Sequence, residues 1–563
     1  MLTFYDFEVF AYDWLVVLID LENQSESVIH NDREKLIKYY EKHKNDIWVG
    51  YNSRSYDQHV LKAVISGFDP KEVNDYIILE NKNGWNFSQL MNKIQIYNYD
   101  VFSGYNGLKT LECFMGNDIR ETSVPFDIDR PLTEKELQET IKYCRHDVEQ
   151  TIEVFFARKK DFDAHLSVIK TFGLPLSYIS KTQAQLTAAV LECERVERDD
   201  EWDIQIIDTL KIEKYKSVID WFLHNKGDYS KKLEIDVCGV PHVFGWGGLH
   251  GAREKYHAKG LIVHVDVNSF YPAIMIEYDL LSRNVKHKEK YREIRDTRIK
   301  YKKEKNPLQA PYKIILNATY GICKDKYSAA YDPRQANNVC INGQLLLLDL
   351  LEHIEPYCEL IQSNTDGLIV RIDDTEEAWN KLDDVCYEWE QRTRMGLGFD
   401  IISEIWQKDV NNYVWIDEDG QIERKGAYVK ELNSLDYDLP IVNNAMVDYM
   451  TKKIPVEYTI NSCNDLIEFQ KSVKLSNKFE YVTHNGKRYD QKCYRVFASK
   501  LESDGKIEAV KTVNGKLSFN KFANTPEHCF IYNESVNGVK VPSILDKGYY
   551  IDLAKQRLND YGM

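Results

Sequence analysis

Residues 261–272 read Leu-Ile-Val-His-Val-Asp-Val-Asn-Ser-Phe-Tyr-Pro. The β-branched Ile262, Val263, Val265 and Val267 predict an apolar strand that ends at Pro272, because a central strand cannot continue through proline. Asp266 then lies near the end of a buried strand, where a carboxylate is costly to desolvate and a divalent cation is its usual partner. An Asp capped by the following turn would look the same in isolation. Asp6 and Glu8 are two apart in a second strand pattern, Leu2–Phe10, and strand alternation puts both on one face. Asp57 follows a strand pattern at Ile47–Asn52, and Tyr143 and Asp147 lie four apart on a helical pattern over Pro131–Lys160, hence on one surface. Four carboxylates and a phenol can therefore converge. Between Arg283 and Lys305 stand eleven Lys and Arg against Glu289, Glu293, Asp296 and Glu304. A solvated helix face is the plain alternative for such a run.

The elements that must position these groups are legible as patterns. Trp14–Asp20 and Ser27–His30 extend the first sheet, and Asp32–Lys44 has helical periodicity. Only 47 residues separate Asp266 from Lys313, which leaves room for two antiparallel helices. The first carries Arg298 and Lys302 on one face, with Arg295 one turn earlier as the alternative to Arg298. The second is opened by Pro311 and carries Lys313, Asn317 and Tyr320 at helical spacing. Gln335–Glu352 reads as an apolar helix. Glu359–Ile372 reads as a hairpin with Asn364-Thr365 at its turn and Asp366 just past it, and a second hairpin starts at Tyr413 and turns at Glu418–Gly420. Residues 148–240 show mixed helical patterns without a recognisable chemistry, and helical stretches recur at Pro440–Lys453 and Ser543–Tyr561.

The chain has 563 residues, 43% of them hydrophobic, and its 11 cysteines include no Cys-x-x-Cys pair, so neither a zinc site nor a disulfide framework is expected. No run of about 18 apolar residues and no signal pattern is present, so the expectation is a soluble protein of a reducing cytoplasm, with no membrane partner. A net charge of −16 counts against nucleic-acid binding, but the basic run lies between the residues that would handle phosphates.

Asp266-Val-Asn-Ser-Phe-Tyr-Pro272 resembles the first catalytic motif of family B DNA polymerases, Asp-x-x-Ser-Leu-Tyr-Pro, with Phe270 in the Leu place. Lys313, Asn317, Tyr320 and Gly321 match the second, Lys-x-x-x-Asn-x-x-Tyr-Gly. The third, Asp-Thr-Asp-Ser, is altered to Asn364-Thr365-Asp366-Gly367. Upstream, Asp6-Phe-Glu8, Asn52-x-x-x-Tyr56-Asp57 and Tyr143-x-x-x-Asp147 resemble the family's proofreading 3′→5′ exonuclease, and Gly107–Thr110 resembles a segment near its entering strand. Phe244-Gly-Trp-Gly247-Gly248 resembles a Tyr-x-Gly-Gly element, with Gly245 in the Tyr place. Tyr413 and Lys425-Gly426 resemble a primer-binding hairpin whose Lys place holds Asn411.

The resemblance implies an α/β and α+β multidomain protein. A ribonuclease H-like exonuclease would span 1–165, a connecting region 166–240, palm 241–280 and 322–430, fingers 281–321, and thumb with C-terminal lobe 431–563. Asp266, the Val267 backbone and Asp366 would hold two Mg²⁺, with Mn²⁺ able to substitute. Asp6, Glu8, Asp57 and Asp147 would hold two more for phosphodiester hydrolysis, with metals about 3.5–4 Å apart and Tyr143 orienting the water. Ser269, Phe270, Tyr271, Arg298, Lys302, Lys313, Asn317 and Tyr320 would bind the deoxynucleoside triphosphate, Tyr271 excluding a 2′-hydroxyl. Asn52, Tyr56, Gly247, Gly248, Tyr413 and Lys425 would contact primer-template DNA, and the thumb would grip product duplex through phosphates. Asn364 removes a negative charge, weakening metal attraction by on the order of a few kcal/mol, so more Mg²⁺, or Mn²⁺, is expected to be needed. Neither insertion of the protein-primed branch fits the short gaps, which implies a nucleic-acid primer. The expected protein is a monomer assisted by a helicase, single-strand-binding or processivity factor. Short fingers and no domain before Asp6 are most like polymerases encoded by bacteriophages or other mobile elements, and phage encoding would place it in the host bacterial cytoplasm. The alternatives are an exonuclease with a vestigial polymerase domain and a non-catalytic DNA-binding scaffold.

Overall fold

The computed structural model describes residues 1–563, which divide into two compact units. The first comprises Met1–Lys181, Leu432–Ile441 and Asn461–Tyr550; the second comprises Thr182–Glu431, Val442–Ile460 and Ile551–Met563. No helix is long and apolar enough to cross a membrane.

The first unit opens with a five-stranded mixed sheet in the order β3-β2-β1-β4-β5, from β1 (Leu2–Val9), β2 (Trp14–Asp20), β3 (Ser25–His30), β4 (Ile47–Gly50) and β5 (Tyr97–Asp100). β1 runs antiparallel to β2 and parallel to β4. Its buried Phe4, Tyr5, Phe7 and Val9 fill the sheet core, and Tyr5 Oη donates to Asn98 Oδ1 on β5 at 2.8 Å. Around it lie α1 (Arg33–His43), α2 (Asp57–Ser66), α3 (Pro70–Ile78), α4 (Leu108–Phe114), α5 (Glu134–Ala157) and α6 (Lys159–Thr171). α5 starts at a capping box in which Thr133 and Glu136 satisfy each other's backbone N–H groups. It then packs Phe155 edge-on against Phe4, ring centroids 5.2 Å apart.

The later segments of this unit carry a three-stranded sheet of Lys471–Lys474, Cys493–Ala498 and Cys529–Ile531, and a four-stranded one between residues 481 and 521. Arg495 is fully buried at the centre of the first of these. It donates to Gln470 Oε1 (2.9 Å) and to the carbonyls of Glu534 (2.7 Å), Cys113 (3.0 Å) and Asn117 (2.9 Å). One guanidinium thus holds the end of α4 to a sheet almost 400 residues away in sequence.

The second unit is built on a nine-stranded sheet in the order β14-β13-β12-β9-β11-β10-β8-β7-β6. Its strands are β6 (Lys232–Val237), β7 (Val240–Gly245), β8 (His250–Ala252), β9 (Tyr256–Val267), β10 (Glu359–Asn364), β11 (Gly367–Arg371), β12 (Leu397–Asp409), β13 (Asn412–Asp417) and β14 (Ile422–Lys425). Among its helices are α7 (Gln183–Val190), α8 (Lys216–His224), α9 (Phe270–Glu277), α10 (Lys288–Lys303), α11 (Gln309–Lys324), α12 (Pro333–Ile354) and α13 (Glu376–Thr393). α12 is buried on nearly every face. Its amides support chain outside regular structure: Asn338 Oδ1 accepts from Gln205 N at 2.7 Å and Asn342 Oδ1 from Ile207 N at 3.0 Å. Much of residues 200–211, opaque in sequence, is explained by these bonds.

Two local expectations need correction. The strand carrying Asp266 ends at Val267, and Pro272 lies in the first turn of α9. Ser269 adopts the left-handed region (φ 51°) to make the switch, and proline is tolerated because a first-turn N–H has no helical acceptor. The hairpin turn is Thr365-Asp366, since Asn364 pairs with Gly367, so Asp366 is in the turn itself.

Arg495→Met, which keeps bulk but removes the donors, is expected to cost about 3 kcal/mol, because several buried acceptors lose their partners. Denaturant unfolding of the full chain measures this, and a loss below about 1 kcal/mol would mean that water replaces the guanidinium.

Candidate active sites

In the first unit, Asp6 and Glu8 project from β1, Asp57 opens α2, and Tyr143 and Asp147 lie on one face of α5. Asp57 is fixed by the Phe7 backbone N–H, which donates to its Oδ1 at 3.1 Å. The structure brings these acids into mutual electrostatic contact. Burial first, then the charges of Asp57, Glu8 and Asp147, push the Asp6 carboxyl well above its usual range. Glu8 is raised likewise, by burial and then by Asp147 and Asp57. Burial lifts Asp57 to about 7 and Asp147 to about 6, the latter opposed by Lys109. Tyr143 stays protonated, held so by burial and by Asp147.

One cation answers this negative charge. Lys109 Nζ, from the start of α4, donates to Asp147 Oδ1 (2.5 Å) and Glu112 Oε1 (3.0 Å) and lies 4.7 Å from the Tyr143 ring centroid. Glu112, His146 and Cys144 were not anticipated. Glu112 is fully buried, with Oε2 3.6 Å from His146 Nε2, and the Cys144 thiol donates to the Asp6 carbonyl at 3.3 Å. Asp6, Glu8 and Cys144 present ligand atoms within 4.8 Å of one another, as do Glu112, His146 and Asp147. Asn52 has a left-handed backbone (φ 59°) on the loop before Asp57, and Tyr56 Oη donates to Asn74 Oδ1 at 2.7 Å. The carboxylates alone have the charge and hardness that suit Mg²⁺ or Mn²⁺.

In the second unit, Asp266 lies in register with Gly367 of β11 and Gly398 of β12, and the Val267 N–H donates to the Asp366 carbonyl at 2.8 Å. A Cβ at Gly367 would lie 3.0 Å from the Val265 carbonyl, a crowded contact that glycine avoids where the two strands come close. Burial, and then Asp366, raise the Asp266 carboxyl, with His264 and Lys302 opposing. A half-buried carboxylate near a strand end beside an exposed one in the adjoining turn suits a divalent cation.

Two cations of α10 lie by this motif, Lys302 acting electrostatically on Asp266. Arg298 Nη1 donates to Ser269 Oγ at 2.5 Å, while its Nε is buried without a partner. Arg295 is instead tied to Glu277 (3.0 Å) and Asp296 (3.0 Å), so Arg298 is the one directed at the first motif. Lys302, Lys313 and Asn317 are exposed on α10 and α11. Tyr271 packs on Tyr320 (centroids 4.6 Å), and a Cβ at Gly343 would meet Tyr271 at 3.0 Å, which fixes that ring; Phe270 is buried behind it. Tyr413 is buried, stacks on Trp415 (5.0 Å) and has Lys425 Nζ 5.5 Å from its ring. Gly247 is exposed and Gly248 buried beside Thr365, with φ 145°. His250, not anticipated, contacts Asn364.

No family model matches the chain. It is 25% identical over 294 residues to a DNA polymerase 1 of Saccharolobus solfataricus, covering 46% of this chain and 31% of that one. A DNA polymerase 1 of Sulfurisphaera ohwakuensis is 25% identical over 295 residues, covering 43% and 32%. The chain thus spans about a third of the length of the curated relatives it matches. Among solved structures, a family B DNA polymerase from the hyperthermophilic archaeon Pyrobaculum calidifontis aligns with a TM-score of 0.41 at 14% identity, covering 100% of this chain and 77% of that one.

Asp6→Asn should raise the melting temperature of the metal-free chain by relieving buried repulsion, and should reduce the further rise given by Mn²⁺ or Mg²⁺. Differential scanning calorimetry with and without metal checks this. A wild-type chain whose melting temperature ignores both metals would contradict the metal assignment.

Proposed function

We propose that the chain is a family B DNA polymerase that extends a primer 3′ end on a template and carries a 3′→5′ proofreading exonuclease. The observation that carries this is the closeness of Asp266 to Asp366, with Lys302 of α10 acting electrostatically on Asp266 and Arg298 bonded to Ser269 of the same motif. The sequence similarity to DNA polymerases supports it.

In this assignment the second unit holds palm and fingers. Lys302, Lys313 and Arg298 bind the triphosphate, offsetting charge that moves onto the leaving pyrophosphate as the primer 3′-hydroxyl attacks the α-phosphate. Arg298 is already oriented by Ser269. Tyr271, wedged between Tyr320 and the helix at Gly343, offers a rigid wall against a ribose 2′-hydroxyl. Tyr413 and Lys425 bind the primer end. Asp266, Asp366 and the Val267 backbone would hold Mg²⁺, which when bound activates the attacking oxygen and stabilises the leaving one.

The first unit is assigned the exonuclease. Its strand order, 3-2-1-4-5 with the first three strands antiparallel, supports a ribonuclease H-like fold. Asp6, Glu8, Asp57 and Asp147 would hold the metals, and Tyr143, kept protonated, can orient a water by hydrogen bonding. Proofreading then supplies discrimination beyond what binding differences give. The compact fingers favour a polymerase of the bacteriophage type, acting on primer-template DNA and deoxynucleoside triphosphates.

Asn364 is what favours the second reading, an exonuclease whose polymerase site has lost its chemistry. Paired substitutions separate the two. Asp366→Ala should reduce primer extension by at least about 10³-fold, a few kcal/mol of transition-state stabilisation, while leaving degradation intact; Asp6→Ala should do the reverse. Extension that survives Asp366→Ala would overturn the assignment of the second unit.

A further inference from the structure

β8 pairs with β10 through Gly251↔Ser363 and Ala252↔Gln362, so the next position along sets His250 opposite Asn364, the residue that departs from the third polymerase motif. His250 Nδ1 lies 3.1 Å from Asn364 Oδ1, and the Thr365 backbone N–H lies 2.8 Å from the same oxygen. A backbone N–H can only donate, so the amide oxygen must face it. His250 Nδ1 must then carry the proton, and its Nε2 is left as an acceptor.

This orientation leaves the Asn364 Nδ2 group, with two N–H donors, free of any hydrogen bond within the protein. The surroundings favour an anion as its partner. Lys425 acts electrostatically on His250 and stands 5.5 Å from the Tyr413 ring centroid. Gly248 closes over the pair: a Cβ there would lie 3.3 Å from Thr365 Oγ1 and 3.6 Å from His250 Nε2. A carboxylate at position 364 would offer only acceptors and would repel a phosphate. The amide, turned this way, offers donors two residues from Asp366.

Resting on the polymerase assignment above, we propose that His250 is a positioning residue that, together with the Thr365 N–H, holds the Asn364 amide turned so that Nδ2 donates to a phosphate oxygen of the substrate. That oxygen belongs either to the last phosphodiester of the primer or to the incoming triphosphate. The change at position 364 is then an exchange of partner, from a cation to an anion.

The test is steady-state primer extension by the full chain, titrating nucleotide and primer-template separately for His250→Ala, His250→Gln, His250→Asn, Asn364→Ala and the double variant H250A/N364A. Single-strand degradation by the same preparations, a property assigned to the other unit, controls for folding. His250→Ala and His250→Gln should raise one KM about tenfold, the worth of one hydrogen bond to a charged group, with a smaller change in kcat. His250→Asn, whose amide nitrogen takes the Nδ1 position, should recover most of the loss. The double variant should be no worse than Asn364→Ala alone. A raised KM for nucleotide assigns the triphosphate, and a raised KM for primer-template assigns the phosphodiester. If wild type extends primers but His250→Gln matches it, or the two alanine effects multiply, the positioning role is wrong. A wild-type chain that extends no primer in Mg²⁺ or Mn²⁺ overturns the polymerase assignment and this inference together.

Discussion

Crowding of carboxylates, buried in the first unit and half-exposed in the second, is the constraint around which each unit is arranged. A folded chain gains nothing from crowding Asp6, Glu8, Asp57 and Asp147 into one partly dry cluster, where Asp57 and Asp147 raise the proton affinity of Asp6 and Glu8. The same conflict appears on a smaller scale between Asp266 and Asp366. Such arrangements persist because the surrounding structure fixes them: β1 sets the separation of Asp6 and Glu8, the Phe7 N–H holds Asp57, and Lys109 neutralises part of the excess. The uncompensated negative charge is what a divalent cation can satisfy.

The rest of each unit makes that conflict sustainable. In the first, buried Arg495 ties α4 to a remote sheet, and α4 is the element that delivers Lys109 to Asp147. In the second, α12 supplies a rigid floor whose amides satisfy otherwise stranded backbone, and glycine at 367 lets the strands that carry the two acids approach. His250 and Asn364 belong to this second category of supporting contact, since they settle which atoms the turn beside Asp366 presents.

Much of this was legible in the chain, and the division is physical. Local periodicity carried the strand of Asp6 and Glu8, the helix of Tyr143 and Asp147, and the α10–α11 pair with Arg298, Lys302 and Lys313. Each depends on neighbours a few residues apart. Periodicity could not place Glu112 or His146, which look like ordinary polar positions of a helix until α4 and α5 are packed together; the one hint was Glu112 standing three residues after Lys109. Nor could it find Arg495, whose partners are set by tertiary pairing alone. The misplaced turn at Asn364-Thr365 was a one-residue register error, and a one-residue error is what alternation does not resolve when both candidate turns are polar. Pro272 read as a strand terminator, although it is equally at home in a first helical turn.

The most direct test of the central claim follows a 5′-labelled primer annealed to a template, with Mg²⁺, in the presence and absence of nucleotides. Shortening without nucleotides and template-directed lengthening with them is the result expected of two carboxylate centres with separate chemistries. Shortening under both conditions, unchanged when Mn²⁺ replaces Mg²⁺, would contradict it and leave a nuclease joined to an inactive polymerase fold.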